Sequence, residues 1–154
     1  MTMMRRIVVL VLTVLALSAR AGVSKLEAIG MIESGNNDRA IGKAGEVSRY
    51  QIMPRVWRNY SASRAYHNVG VSRRIAEKHL ENLEQTFRER TGREATDFDR
   101  YVLWNAGPSY YGRIGFSAAR VHPVIRERAQ RFVNLRQMKP LAVSNGMLAV
   151  GALP

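Results

Sequence analysis

The chain has no cysteine and only three histidines among its 154 residues. Without thiols there is no disulfide framework, no cysteine-ligated zinc or iron–sulfur centre, and no cysteine nucleophile. His67, His79 and His122 show no ligand spacing, so neither a metal nor another cofactor is expected. Acid is scarce as well. Twelve Asp and Glu stand against 24 Lys and Arg, 20 of them Arg, for a formal charge of +12. Chemistry is therefore left to a few carboxylates, hydroxyls, amides and bases. The basic excess suggests a polyanionic partner: nucleic acid, anionic lipid or an acidic cell-wall polymer. What is present in quantity is apolar residue, 46% of a chain about one domain long, enough for a single globular unit with a core.

Long apolar runs are absent but for one. Ile7 to Leu17 is interrupted only by Thr13, and it is too short for a membrane-spanning helix, which takes about 20 residues. Met1-Thr2-Met3-Met4-Arg5-Arg6 precedes it, and Ser18-Ala19-Arg20-Ala21 follows with small residues at the −3 and −1 positions of an A-x-A cleavage site. Residues 1–21 read as a secretory signal peptide, with an uncleaved N-terminal anchor as the alternative. Cleavage would leave 21 basic and 12 acidic groups, a charge of +9, in the periplasm or outside the cell. Export argues against nucleic acid as the partner and for the cell wall. Membrane contact is expected only through the signal segment before cleavage.

The domain is expected over residues 22–138, mainly α with a small β-hairpin, an α+β unit. Ser24-Lys25-Leu26-Glu27 has the capping-box pattern and opens a helix over about 25–34, stopped by Gly35-Asn36-Asn37-Asp38. Loops and an irregular hairpin around Val47 to Met53 follow, then a helix from Pro54 to about Tyr60. Ser72 is read as the cap of a long helix with Ile75, Ala76, His79, Leu80, Leu83 and Phe87 on one face and Glu77, Lys78, Glu81 and Glu84 as solvated surface, ended by Gly92. Thr96 with Asp99 starts the next, closed by Gly107-Pro108. A final helix runs from His122 or Pro123 to Met138, burying Val124, Ile125, Phe132, Val133 and Leu135. Residues 139–154, with Ser144-Asn145-Gly146 and Gly151, read as a flexible tail.

One residue breaks the pattern. Leu26, Ile29, Gly30 and Glu33 lie at i, i+3, i+4 and i+7, so Glu33 shares the face that must be buried. Burial and the negative end of the helix both disfavour its charged form, the condition for a general acid near neutral pH. The alternatives are a Glu33 turned outward at a frayed end, or one paired with an Arg.

Glu33-Ser34-Gly35-Asn36-Asn37, then Ala40, Gly45 and Tyr50-Gln51-Ile52-Met53-Pro54, resembles the catalytic core of the soluble lytic transglycosylases, glycoside hydrolase family 23. Trp104-Asn105-Ala106-Gly107-Pro108 resembles that family's Tyr-Asn-Ala-Gly-Pro box; together the motifs cover roughly residues 24–115. The resemblance implies a lysozyme-like fold and an enzyme that cleaves the bond between N-acetylmuramic acid and N-acetylglucosamine in peptidoglycan. Glu33 would act first as acid and then as base, leaving a 1,6-anhydro end. Ser34, Tyr50, Gln51, Tyr101, Trp104, Asn105 and Tyr110 are the implied substrate-binding or supporting residues. Small exported members often serve a secretion, conjugation or pilus apparatus, which is the implied protein partner.

Three departures stand out. Gly42 replaces the Ser of many members, Trp104 replaces the box Tyr, and Gly45-Glu46 stands where members often read Gly-Ala. Tyr101 or Tyr110 is a candidate for the missing hydroxyl. Goose-type lysozymes carry an acid at the place of Glu46, and inverting hydrolysis needs two carboxyls about 6.5–9.5 Å apart. Glu46 is thus a candidate second carboxylate for hydrolysis, or else a surface residue paired with Arg49. A non-catalytic peptidoglycan-binding assembly factor is a further alternative, with a basic antimicrobial or nucleic-acid binder behind it. Trp57, Tyr60, Tyr66, Tyr110 and Tyr111 are read as core before sugar-stacking residues. Arg126, Arg128, Arg131 and Arg136 are read as a solvated helix face, or as contacts for muramyl or stem-peptide carboxylates.

Overall fold

Helix starts follow from which side chains stand ready to accept orphan N–H groups. The Ser24 hydroxyl accepts from the Glu27 N–H at 3.2 Å and begins α1, Lys25–Ser34. Pro54 opens the single-turn α2, Pro54–Trp57. Asn68 caps α3, Val69–Thr91, by accepting from the Val71 N–H. Thr96 and Asp99 form a complete capping box for α4, Asp97–Arg113, and Pro123 opens α5, Pro123–Gln137, after a 3₁₀ turn at Ala118–Arg120. The computed structural model describes residues 22–138, and these form one mainly helical unit. The expected signal peptide, 1–21, and tail, 139–154, lie outside the described residues.

Packing is built around aromatic residues that the polar helix ends leave inside. Trp57, Phe87, Tyr101, Tyr111 and Phe132 are fully buried. The Tyr101 and Phe132 rings lie 5.7 Å apart where α4 meets α5, and Phe87 and Tyr111 stack at 6.1 Å where α3 meets α4. Trp57, Tyr111 and, packed against Trp57, Tyr66 thus belong to the core. α1 lies against α5 and α3.

Several sequence expectations change in detail. The long helix begins one turn before Ser72, because Asn68 supplies the cap; Ser72 is buried inside and donates to the Val69 carbonyl. Gly107-Pro108 does not close α4. Gly107 adopts φ 78°, ψ 163°, a conformation only glycine takes without strain, and the chain resumes helical turns from Pro108 to Arg113. The hairpin is reduced to two isolated antiparallel bridges, Ile41 to Val47 and Val47 to Ile52, because two tight turns consume the residues between them. Val124 is exposed, as it sits in the first turn of α5 beyond the reach of the core.

Glu84 is not solvated surface. It accepts from Lys25 of α1 at 2.9 Å and from Arg100 of α4, while Arg100 also donates to Asp97 at 2.8 Å. Arg136 of α5 lies 3.6 Å from Asp97, so four helices share one ion network. A second polar knot fixes the start of α4. Asp99 is 3% exposed and accepts from Arg93 at 2.7 and 3.1 Å, from Tyr111 at 2.6 Å and from the Thr96 N–H and hydroxyl at 2.9 and 2.7 Å. Burial alone would raise the Asp99 pKa, but these donors outweigh it and bring it down to about 2.

Because Asp99 is held below its ordinary value of 3.8, the stability it contributes is present above pH 4 and is lost as pH falls toward 2. Asp99→Ala also leaves the Tyr111 hydroxyl and the Thr96 N–H without their acceptor, for a loss of about 2 kcal/mol. Denaturant unfolding at pH 7 and pH 3 checks both: the variant is weaker at pH 7, and the gap to the parent narrows at pH 3.

Candidate active site

Glu33 is the penultimate residue of α1, whose buried face runs through Leu26, Ile29 and Gly30. That face directs the Glu33 carboxyl inward, where it is half-buried and not turned out as at a frayed end. Among the described residues no Arg makes an ion pair with it. Its partner is the hydroxyl of Tyr101, from α4, which donates to Glu33 Oε1 at 2.7 Å. Desolvation raises the Glu33 pKa above the ordinary carboxylate value, against the opposing Tyr101 hydrogen bond, the Arg128 charge and the Asn105 amide. Tyr101 is pushed up too, by burial first and then by the adjacent Glu33, and stays a proton donor.

In front of Glu33 lies a cavity of about 250 Å³. Its walls are Gly42, Lys43, Glu46 and Gln51 from the loop after α1, Trp104 and Asn105 from α4, and Arg128 from α5. An adjoining cavity of about 160 Å³ shares Glu46, Gln51, Trp104 and Asn105 and adds Ile52, Met53, Val56 and His79. Trp104 is backed by His79, with ring centroids 5.2 Å apart, and His79 Nδ1 meets the Tyr60 hydroxyl at 3.1 Å. Burial lowers the His79 pKa to about 4, so this support is uncharged at neutral pH.

The loop is held in sterically restricted backbone conformations. Ser48 and Gln51 both have positive φ, 66° and 50°, and close the turn Ser48–Gln51. Gln51 Nε2 donates to the Ser48 carbonyl at 2.9 Å, which leaves its Oε1 toward Gly42. A Cβ on residue 42 would stand 2.1 Å from Glu46 Oε2 and 2.5 Å from Gln51 Oε1. The two positions are therefore tied in space: the Glu46 carboxylate lies where a side chain at 42 would go. Arg49 is not its partner. Arg49 grips Asp38 with two hydrogen bonds of 2.6 Å, and among the described residues Glu46 Oε2 accepts from the Ala44 N–H alone, at 3.0 Å.

Of the residues singled out from sequence, Glu33, Glu46, Gln51, Trp104 and Asn105 meet at the cavity, and Tyr101 supports Glu33 from behind. Ser34, Tyr50 and Tyr110 do not line it. The Ser34 hydroxyl donates to the Arg49 carbonyl at 2.8 Å and accepts from the Asn37 N–H, tying the helix end to the loop. Tyr50 is a core residue, 4% exposed. The Tyr110 hydroxyl accepts from the His122 N–H, so between the two tyrosines it is Tyr101 that reaches the acid. Lys43 lines the cavity without a signal in the sequence, and Arg128 is the one of the four α5 arginines read as alternative carboxylate contacts that reaches it. Helical periodicity gives no sign of which of four arginines on α5 reaches across to α1. Among the described residues no group of His, Asp or Glu side chains is arranged to hold a metal ion.

The geometry places two carboxyl groups, Glu33 with its raised pKa and Glu46, in a single polar cavity, with two amides and an indole as walls. That set can transfer a proton and position a polar, ring-shaped ligand. No family model, curated protein or solved structure matches the chain.

Gly42→Ser is expected to displace Glu46 and Gln51 and to lower any activity at this cavity by up to about 100-fold, with a folding midpoint close to the parent. Glu33 bears on stability in the opposite sense to Asp99. Its raised pKa means its contribution is present below about pH 4.5 and is lost as pH rises through the folded value. Glu33→Gln, which keeps an acceptor for Tyr101, is therefore expected to raise the melting temperature at pH 7 and leave it nearly unchanged at pH 4.

Proposed function

We propose that the protein is an exported peptidoglycan lytic transglycosylase of the glycoside hydrolase family 23 type, with a lysozyme-like fold. The observation that carries this reading is a half-buried carboxyl with a raised pKa, hydrogen-bonded by Tyr101, facing a cavity walled by Gln51, Trp104 and Asn105. Protonated Glu33 gives its proton to the glycosidic oxygen between N-acetylmuramic acid and N-acetylglucosamine, and the C1–O bond breaks. The Glu33 carboxylate, stabilised by Tyr101 and Asn105, then takes the proton of the muramyl 6-hydroxyl. That oxygen bonds to C1, giving the 1,6-anhydro end without water, so the enzyme acts as a carbon–oxygen lyase. One carboxylate suffices because the nucleophile belongs to the substrate. Gln51, Trp104 and Asn105 hold the sugars.

A second reading is hydrolysis, as in goose-type lysozymes. It is favoured by Glu46, which lines the same cavity and, among the described residues, makes no ion pair. In this reading Glu46 takes the proton of a water that attacks C1, while Glu33 protonates the leaving oxygen.

Digesting sacculi with the protein and weighing the fragments tells the two apart. Anhydromuramyl ends are the expected product, reducing muramyl ends mean hydrolysis, and binding without soluble product means an assembly factor. Glu33→Gln should cut turnover by about 10²–10⁴-fold. Glu46→Gln should abolish hydrolysis but only slow transglycosylation. Tyr101→Phe removes a bond that lowers the Glu33 pKa, so the alkaline limb of the pH profile should move upward.

A further inference from the structure

The charges around the cavity do not balance for a neutral ligand. Lys43, on the loop, and Arg128, on α5, both line it and are exposed. Among the described residues neither makes an ion pair. Other arginines of α5 are committed to the fold. Arg126 donates to the Ala119 and Val121 carbonyls at 2.7 and 2.9 Å, and Arg136 donates to the Val23 carbonyl and lies beside Asp97. Arg128 faces Glu33 and Tyr101 instead, across the cavity from the loop that carries Lys43.

With Glu33 protonated for its acid step, the walls hold two cations and one carboxylate, Glu46, and Glu46 is already engaged by the Ala44 N–H. A neutral acetylated sugar offers hydrogen-bond acceptors but no counter-charge to the remaining positive charge. A sugar that bears a carboxylate does, and a carboxylate between an ammonium and a guanidinium gains charge-assisted hydrogen bonds from both.

Resting on the glycosidase reading above, we infer that Lys43 and Arg128 are specificity-determining residues that clamp a carboxylate carried by the glycan beside the bond to be cut. Anionic muramyl strands are thereby preferred over neutral N-acetylglucosamine strands of equal length. The carboxylate is either the free lactyl group of a peptide-free strand or an acid of the stem peptide.

Titration calorimetry on Glu33→Gln protein, which holds the ligand uncut, tests this with three oligosaccharides of equal length: N-acetylglucosamine only, alternating with peptide-free muramic acid, and alternating with peptide-bearing muramic acid. The expected result is at least roughly tenfold tighter binding of a muramyl oligomer than of the neutral one, a preference that shrinks as salt is raised. Preference for the peptide-free oligomer assigns the lactyl carboxylate; preference for the peptide-bearing one alone assigns the stem. Adding K43Q and R128Q should collapse the preference, and blocking the lactyl group as its methyl ester should do so in the unsubstituted clamp. Equal binding of all three, or a preference that survives both substitutions, overturns the inference. If the parent still releases anhydro or reducing ends from sacculi in that case, the glycosidase reading stands and only the clamp falls. If E33Q protein binds none of the oligomers and the parent releases nothing, both fall.

Discussion

A carboxyl group drawn into the interior at the end of a helix has to be given partners by other parts of the chain, because an isolated buried charge is too costly to keep. Glu33 receives its partner from Tyr101, 68 residues further along the chain. The requirement is mutual. The Tyr101 ring is fully buried between α4 and Phe132 of α5, and its hydroxyl needs an acceptor there as much as Glu33 needs a donor. The single bond thus ties the end of α1 to α4, whose Tyr101 ring packs against α5, and the cavity is lined by residues of all three. The Asp99 knot upstream on α4 serves the same geometry, since it sets where that helix begins and so which of its turns faces α1.

The loop between α1 and α2 answers to a second constraint, that of space. Positive φ angles at Ser48 and Gln51 close a turn that regular strand pairing would not permit, and only two isolated bridges remain of a hairpin. The turn brings the Gln51 amide and the Glu46 carboxylate over Gly42 so closely that a side chain there would have to push them aside. Strain and a missing side chain at a site are tolerated where the surrounding fold over-determines them. Here the Arg49–Asp38 pair and the Ser34 bond to the Arg49 carbonyl provide that reinforcement from outside the cavity.

The same logic explains the two opposite carboxylates. Asp99 and Glu33 are both withdrawn from water, yet five hydrogen bonds drive the pKa of one down to about 2 while the other, with fewer donors, rises. The first stabilises the fold at neutral pH, and the second weakens it there in exchange for a group able to hold a proton. His79 behind Trp104 is a third case, in which burial without a charged partner keeps the ring neutral.

Much of this could be read along the chain. Periodicity located the buried face of α1 and hence the position of Glu33, and cap residues such as Ser24, Thr96 and Pro123 marked most helix starts, because these signals act between residues a few positions apart. Asn68 outdid Ser72 as a cap, and Gly107 bent a helix without ending it, because neighbours in space decided between locally similar choices. The cavity itself belongs to that second kind. Which tyrosine reaches Glu33 and which arginine of α5 reaches the cavity are contacts between segments far apart in sequence, while the crowding at Gly42 and the turn of Arg49 to Asp38 arise from how one loop folds back on itself. Local pattern determined the elements and the buried acid; only the packing of α1, α4 and α5 with the intervening loop decided what surrounds it, since hydrogen bonds and excluded volume act through space.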